Sequence, residues 1–397
     1  MTRRVVLTGA GTVNALAQDV PGTIAALVAG RTGIGPLQIA DLDRLSVRIG
    51  AQIRDWPGRP MSAREAALWD PFTRYALWAA QEALDMSGLT PAERAGAGVI
   101  IGTAAGGIST WEENYRAVFQ HGKDRVPPLV VPRLMHNAAP SHVSIRHGLR
   151  GPAFSVSSAC ASSNHAIGLA FQTIRSGQAK VMLAGGAEAM LCFGGIKAWE
   201  GLRVLSHDAC RPFDTGRNGM VMGEGAAIFV LEAADHAAAR GAPVLAEIAG
   251  FGMTADASDI VAPSVDGAVA AMRAALADAA MAPSDLGYVN AHGTGTLVND
   301  RAEAAALRQV LGAPPVPVSA TKGAHGHAIG ATGALELLAC IAALRDGAIV
   351  STTGCRSAED CGLDIVTGSA RQAPVGAALS NSFAFGGLNA VLALRAP

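Results

Sequence analysis

Long apolar runs are missing from the 397-residue sequence, which argues against a membrane-spanning helix. No stretch reaches the roughly 18 consecutive apolar residues that such a helix needs. The longest candidate, residues 334–344, is interrupted by Glu336 and is predicted to be a buried helix. The apolar run near the N-terminus is broken by Gly9, which makes it too short for a signal peptide. We therefore expect a cytoplasmic protein that does not contact a membrane.

An excess of charge of either sign is also lacking. Lys and Arg total 31, Asp and Glu total 32, and the formal net charge is -1. A chain so close to neutral has no overall attraction to nucleic acid, so nucleic-acid binding is not expected. An acidic partner would have to meet a local basic patch.

Cysteine pairs at metal-binding spacing are absent. The six cysteines are irregularly spaced and none forms a CxxC pair, which argues against a zinc site or a disulfide framework and fits a reducing compartment. His136, His142 and His147 could form a metal site, but no cysteine or carboxylate lies in register with them. No metal is therefore predicted. The cysteines are Cys160, Cys192, Cys210, Cys340, Cys355 and Cys361.

Aromatic residues are scarce at 5%, whereas glycine is abundant, with 47 residues in a chain that is 50% hydrophobic. This composition is typical of closely packed, layered α/β folds. Strands, glycine turns and amphipathic helices follow one another in a similar order in both parts of the sequence, which suggests a duplication. We predict two halves, residues 1–243 and 244–397.

The opening strand, predicted at residues 4–8, is followed by Gly9, Ala10 and Gly11, as in some dinucleotide sites. The third glycine position is Asn14, however, and no acidic residue follows about 20 positions later. We interpret residues 9–11 as a glycine turn, and no bound cofactor is predicted.

Cys160 lies where a thiol would be reactive. Residues 153–156 are predicted to be a short buried strand, and Cys160 then opens a small-residue helix that runs to about Gly177. The helix macrodipole and free backbone N–H groups at that end favour the nucleophilic thiolate. A lone buried cysteine is more often an inert core residue, so the assignment depends on other parts of the chain.

Three further polar stretches each follow a buried strand, where α/β folds place their chemistry. They include His292 and His327, which differ from the other histidines because surrounding glycines allow a substrate to come close. The stretches are NAHGTGT (290–296), SATKGAHGHAIGATGALE (319–336) and NSFAFGGLNA (381–390).

Together with SSACASSNHAIG (157–168), these stretches resemble the four signature blocks of type II β-ketoacyl-[acyl carrier protein] synthases. The likeness runs from the first strand to the last residues, and the four blocks occur in the family's order. Within the family, the sequence looks most like the nodulation-type and aryl-polyene-type ketosynthases.

The resemblance implies a thiolase-like fold of five αβαβα layers built from two duplicated halves. It implies that Cys160 is the acyl-carrying nucleophile and that His292 and His327 support malonyl decarboxylation. It also implies that Lys322 and Glu336 are a supporting charged pair. The backbone N–H groups of Cys160 and Phe385 are expected to form an oxyanion hole.

Other positions match the family's substrate-binding and docking residues. Thr294 and Thr296 match those that bind the phosphopantetheine arm, and residues 384–387, with Phe385 and Gly386, match a mobile gate, as do residues 256–267. Asp259 stands where fatty-acid enzymes usually carry a histidine. Trp111 stands at an acyl-pocket position, and we hypothesise that it limits the accepted chain. Arg64 and Arg203 fall at carrier-docking positions, but Ala67 and Leu68 replace basic residues nearby.

The resulting interpretation is an acyltransferase that condenses a Cys160-bound acyl chain with malonyl-acyl carrier protein, giving 3-oxoacyl-acyl carrier protein and CO2. The phosphopantetheine arm would be supplied by the carrier protein, and no prosthetic group is expected. The alternative is a non-catalytic or weakly catalytic partner subunit of the chain-length-factor type. A fatty acid, a polyene or an aromatic polyketide as product, and a homodimer or a heterodimer, all remain open from the sequence.

Overall fold

The structure is a computed structural model that describes residues 3–56, 58, 61–313 and 315–397. Its strands are, in chain order, β1 (Val5–Asn14), β2 (Gly35–Pro36), β3 (Ile49–Gly50), β4 (Gly98–Gly102), β5 (Ala153–Val156), β6 (Val181–Glu188), β7 (Gly225–Ala233), β8 (Ala246–Ala255), β9 (Tyr288–Asn290), β10 (Pro317–Ser319), β11 (Ala348–Ile349), β12 (Asp364–Ile365), β13 (Arg371–Gln372), β14 (Ala377–Ala384) and β15 (Leu388–Arg395).

The α-helices occupy the segments between these strands. They are α1 (Val20–Val28), α2 (Ala63–Leu68), α3 (Pro71–Ser87), α4 (Pro91–Arg94), α5 (Ile108–Tyr115), α6 (Val130–Leu134), α7 (Ala138–His147), α8 (Ser162–Arg175), α9 (Phe193–Gly201), α10 (Ala234–Ala239), α11 (Val265–Asp278), α12 (Leu297–Leu311), α13 (Lys322–His325) and α14 (Thr332–Asp346). Within the described ranges, no helix combines the length and apolar character needed to cross a membrane.

The sheet repeats one topology twice. In the first half the order is β5-β4-β6-β7-β1, and in the second it is β10-β9-β14-β15-β8, with β12 added at the edge. Each half has two antiparallel pairings next to the outer parallel ones. Antiparallel pairing of β1 with β8 joins the halves. The strand order thus carries the internal repeat that the sequence pattern suggested.

Five layers result from this arrangement. Helices α8 and α14 lie between the halves and contact strands of both. On the outer faces, α3 and α7 cover the first half, and α11 covers the second with α12 packed beside it. Three large apolar clusters and one small one fill the spaces, and the largest combines residues of both halves. The predicted αβαβα architecture is confirmed, and residues 334–344 are buried within α14, as expected.

The prediction of a glycine turn at residues 9–11 is wrong. Strand β1 continues through these residues to Asn14, with a register shift between Leu7 and Gly9. The glycines allow close packing instead: a Cβ on Gly9 would lie 2.1 Å from the Ala83 carbonyl oxygen, and one on Gly11 would lie 2.0 Å from that of Ala79. Both carbonyls belong to α3, so the glycines bring this helix against the strand.

Strand β5 forms as predicted but is not fully buried. It lies at the edge of the sheet and pairs with β4 alone among the described strands. Ala153 and Phe154 are exposed, and Ser155 and Val156 are half-buried. The error arises because an apolar strand at a free edge has the same composition as a covered one.

Candidate active site

Cys160 lies where the chain passes from β5 into α8. A 3-10 turn, Ala159–Ala161, comes directly before the helix, and Ala159 has a left-handed φ of 48°. Strain of this kind concentrates at functional sites. The Ser162 hydroxyl holds the turn by donating to the Ala159 carbonyl at 2.7 Å and accepting from the Ser158 N–H at 2.9 Å. The nucleophile candidate is therefore fixed at the head of a helix, and it is 5% exposed.

The second half repeats this geometry. A 3-10 turn, Ile329–Ala331, precedes α14, and Ile329 has a left-handed φ of 41°. His327 comes two residues before Ile329 and is buried. The duplicated fold therefore brings two strained helix heads together, one carrying a thiol and the other an imidazole.

The thiol and both predicted histidines meet in one place. One ligand atom each of Cys160, His292 and His327 lies within 4.8 Å of the other two. The Nε2 of His327 lies 3.1 Å from the Cys160 Sγ, and the two imidazole rings are 5.5 Å apart at 82°. The structure thus places the three side chains, which are up to 167 positions apart in sequence, around one buried point.

His292 follows β9 and is held by acidic residues of α12 that the sequence analysis missed. The Glu303 carboxylate accepts from the backbone N–H groups of His292 and Gly293, both at 2.7 Å. Asp300 accepts from the N–H groups of Thr294 at 3.0 Å and Gly295 at 3.2 Å. A possible signal was two acidic residues three positions apart on a buried helix face directly after NAHGTGT.

Hydrogen bonding fixes the imidazole tautomers. The Nδ1 of His327 accepts from the Ile329 N–H at 3.1 Å, so its Nε2 carries the hydrogen. The Nδ1 of His292 lies 3.2 Å from the Lys322 ammonium, which can only donate, so its Nε2 also carries the hydrogen. Burial, reinforced by Lys322, holds the pKa of both rings well below the ordinary value. Both histidines are therefore neutral N–H donors.

These tautomers also bear on metal binding. Cys160, His292 and His327 are close enough to hold an ion, but a metal ligand needs a lone pair, and both Nε2 atoms carry hydrogen instead. The three histidines considered earlier do not converge: the His136 Nε2 lies 3.2 Å from the Ala104 carbonyl, and His142 packs edge-on against Trp69. The site is suited to donating hydrogen bonds.

Lys322 and Glu336 lie behind His292 as a fully buried ion pair, with 2.6 Å between Nζ and Oε1. Lys322 also donates to the His292 carbonyl. Burial raises the pKa of Glu336 to about 7, and the neighbouring ammonium acts in the opposite direction. The ion pair therefore orients His292 through both its ring and its backbone.

The thiol itself is not activated as the sequence suggested. Burial raises the pKa of Cys160 to about 11, although Lys322 and the backbone N–H groups of Phe385 and Cys160 lower it in part. The favourable N–H groups at the helix end are present, but loss of hydration outweighs them. At neutral pH the resting form is the thiol.

Alkylation of Cys160 by iodoacetamide should accelerate about tenfold per pH unit from about pH 7 to about pH 9, because the thiolate fraction rises in that proportion below the pKa. Intact-mass kinetics would measure this rate, and Cys160→Ala protein would report labelling of the other cysteines. A rate that levels off below about pH 8 would show a thiolate already formed at neutral pH.

The backbone donors predicted for the oxyanion hole lie beside the sulfur. The N–H groups of Cys160 and Phe385 are both close enough to lower the thiol pKa. Phe385 follows β14 in a tight turn with left-handed Gly386 and Gly387, and a Cβ on Gly387 would lie 2.5 Å from the Asp256 Cβ. The Gly386 N–H donates to the Ile260 carbonyl at 2.8 Å, so the two predicted gate segments contact each other.

A cavity of about 430 Å³ leads from these residues to the surface. Thr294 and Thr296 line it, and their hydroxyl oxygens are 2.9 Å apart. Trp199, which no sequence motif singled out, also lines the cavity and stacks on the Phe385 ring at 5.8 Å between centroids. Nothing in the isolated WEG segment signalled this contact.

Some predicted residues lie elsewhere. Trp111 is 41% exposed and packs on Tyr115 at 5.1 Å, and it does not line the cavity, so its role in chain length stays a prediction. Arg203 and Asp259 do line the cavity near its opening. Arg64 is exposed on α2.

A thiol and anion-stabilising donors that meet in one cavity define a thiol-dependent acyltransferase. Residues 2–237 match the family model described as "Beta-ketoacyl synthase, N-terminal domain", and residues 245–356 match "Beta-ketoacyl synthase, C-terminal domain". The chain belongs to the β-ketoacyl synthase family. It is an acyltransferase that performs decarboxylative Claisen condensation in fatty acid or polyketide chain elongation.

Relatives are similar over their whole length. The chain is 46% identical to Nodulation protein E of a Rhizobium species, with 100% of both chains covered. It is 38% identical to 3-oxoacyl-[acyl-carrier-protein] synthase 2 of Coxiella burnetii, covering 99% of this chain and 98% of the relative.

Solved structures show the same fold. The ishigamide ketosynthase/chain length factor matches with a TM-score of 0.96 and 33% identity. A type II PKS acyl-carrier protein in complex with its ketosynthase bound to the hexaketide matches with a TM-score of 0.92 and 27% identity. Both matches cover 100% of each chain. The thiolase-like fold is thereby confirmed.

Proposed function

We propose that Cys160 carries the growing acyl chain, and that His292 and His327 stabilise the enolate formed from a malonyl group delivered by acyl carrier protein. The observation that carries this proposal is the convergence of one thiol, two neutral imidazole N–H groups and two backbone N–H groups on one cavity. The phosphopantetheine arm belongs to the carrier, and Thr294 and Thr296 bind it inside the cavity.

In the first step the Cys160 sulfur attacks the acyl thioester carbonyl. The N–H groups of Cys160 and Phe385 donate to the developing oxyanion, and one such donor is typically worth about 3 kcal/mol. The carbon–sulfur bond to the arm then breaks, and the departing pantetheine sulfur takes up a proton equal to the one that Cys160 lost. The acyl chain remains as a thioester on Cys160.

In the second step a malonyl thioester occupies the same cavity. Its thioester oxygen accepts from the Nε2–H groups of His292 and His327, so that negative charge can build up on it as CO2 leaves. The enolate carbon attacks the acyl carbonyl on Cys160, a carbon–carbon bond forms, and Cys160 is expelled as a thiolate that regains a proton. The product is a 3-oxoacyl thioester of the carrier.

A second ketosynthase chain is proposed to pair with the free edge of β5. An unpaired strand edge beside exposed apolar side chains is a surface that a partner covers. Phe154 on this strand is 41% exposed and Ile145 on the neighbouring α7 is 75% exposed. The partner is either another copy of this chain or a chain-length-factor-like subunit.

All six cysteines are free, which supports a reducing cytoplasm.

Intact-mass analysis with a panel of acyl-acyl carrier proteins tests the proposal. We expect the protein to gain the mass of one acyl group, and to release 3-oxoacyl-carrier protein when malonyl-carrier protein follows. Carrier protein without an acyl group is the control. Failure to gain any acyl mass across the panel would contradict the proposed role of Cys160.

A further inference from the structure

The opening of the cavity is surrounded by exposed apolar side chains, which we call the mouth ring. Its members are Leu202, Ile260, Val261, Leu297 and Val298, exposed by 47%, 74%, 42%, 48% and 63%. The last three line the cavity, and the first two are sequence neighbours of cavity-lining residues. Scattered exposed apolar residues are ordinary, but a group around one opening marks a contact surface.

Two cations close in sequence to residues of the mouth ring or the cavity form ion pairs within the chain. The Lys197 Nζ lies 2.9 Å from a Glu200 oxygen, and Arg211 contacts Asp208 at 2.5 Å. These pairs leave little net charge to attract an acidic partner.

Among the described residues that line the cavity, Asp259 and Arg203 are the two with Asp, Glu, Lys or Arg side chains. The Asp259 carboxylate accepts from the N–H groups of Val261 at 2.7 Å and Ala262 at 2.8 Å, within its own loop. The side chain of Arg203 is exposed and, within the described part of the chain, makes no ion pair. Within the described lining of the cavity, Arg203 is therefore the one Lys or Arg, and it lies close to the mouth ring.

We propose that the acyl carrier protein docks on the mouth ring chiefly through apolar contacts, with Arg203 as its one ion-pairing residue. This inference rests on the proposed function, because a carrier must sit at this opening for its arm to reach Cys160. The carrier it fits exposes apolar side chains around its phosphopantetheine attachment. Apolar burial is not screened by salt, whereas exposed ion pairs are.

Salt dependence separates this mode of docking from a polybasic one. Between about 50 mM and about 500 mM NaCl, kcat/KM for acyl-carrier protein should fall by no more than about threefold, because one exposed ion pair contributes little. Arg203→Ala should remove most of that remaining dependence. A fall of more than about tenfold in the unchanged protein would overturn the proposal in favour of several ion pairs.

Charge placed on the mouth ring should block docking specifically. We expect each of two variants, Leu202→Asp and Ile260→Asp, to raise KM for acyl-carrier protein. The increase should be at least about tenfold larger than the increase in KM for the same acyl group on free pantetheine. The reason is that apolar contact with the carrier would require the new carboxylate to lose its hydration. The matched control is Gln309→Asp, at the exposed far end of α12. If an Asp variant unfolds, the same comparison of KM values can be made with Leu202→Ser and Ile260→Ser.

The outcomes are distinguishable. If neither carrier nor pantetheine thioesters acylate the unchanged protein, the proposed function fails. If pantetheine thioesters react and the ring variants keep the original KM for carrier, the docking proposal alone fails. A membrane-binding ring would also contradict the docking proposal. In that case the unchanged protein would sediment with phosphatidylglycerol vesicles and the Ile260→Asp variant would not, while both proteins would have the same KM for acyl-carrier protein.

Discussion

Cys160→Ala protein is expected to take up no acyl group and to lose condensation by about 10⁴-fold or more, because removing a covalent nucleophile leaves only the binding and anion-stabilising groups. The substitution is small and the site is buried, so the fold should persist. Intact mass after incubation with acyl-carrier protein measures the first effect, and release of 3-oxoacyl-carrier protein measures the second.

His292→Ala is the matched control for this variant. It keeps the thiol and the backbone donors beside it, so it should still gain the acyl group. Condensation should nevertheless fall by about 10²–10³-fold, the usual effect of removing one donor to a developing anion. Two results would contradict the roles proposed for Cys160 and His292. One is acylation of the Cys160→Ala variant at another residue, and the other is an equal loss of acylation in both variants.

Lys322→Met is expected to lower the free energy of unfolding by about 3–5 kcal/mol, because it leaves the buried Glu336 without its cation. Glu336 is fully buried, and its second oxygen already has no hydrogen-bond partner within the described part of the structure. The variant also loses the donor that fixes the His292 tautomer. Urea unfolding, followed by circular dichroism, measures the change.

The double variant Lys322→Met/Glu336→Leu separates the two effects. Replacing both members of a buried ion pair by apolar residues is often neutral for stability. We therefore expect most of the lost stability to return while condensation remains impaired, because His292 is still unsupported. Full recovery of condensation would mean that Lys322 has no part in positioning His292.

Much of the site could be predicted because its groups lie in short, distinctive segments. Each group belongs to a motif at the end of a strand or at the head of a helix, and strand ends determine where such groups meet. The groups are Cys160, His292, His327, Lys322 and Glu336. The buried helix predicted at residues 334–344 was similarly readable, from an apolar run interrupted by Glu336, and it lies within Thr332–Asp346. The predicted boundary between residues 243 and 244 stays a prediction.

The errors concern properties that depend on distant residues. The continuation of β1 through Gly9 and Gly11 depends on contact with α3, about 70 positions away. The raised pKa of Cys160 depends on how completely the second half covers it. Trp199 acts through ring stacking on Phe385, which leaves no local pattern in the sequence. Glu303 acts through the backbone N–H of His292, and its only local signal is its spacing from Asp300.

Pairing of β1 with β8 has a consequence for how the molecule comes apart. The antiparallel ladder between the two strands pairs Val5, Val6 and Leu7 with residues 246–248. Helix α14 is buried between the two halves. A chain cut at residue 243 would lose the neighbour of its first strand and uncover one side of α8. Although the strand order occurs twice, each half depends on the other for part of its sheet and its cover, so we expect thermal denaturation to proceed as one cooperative event.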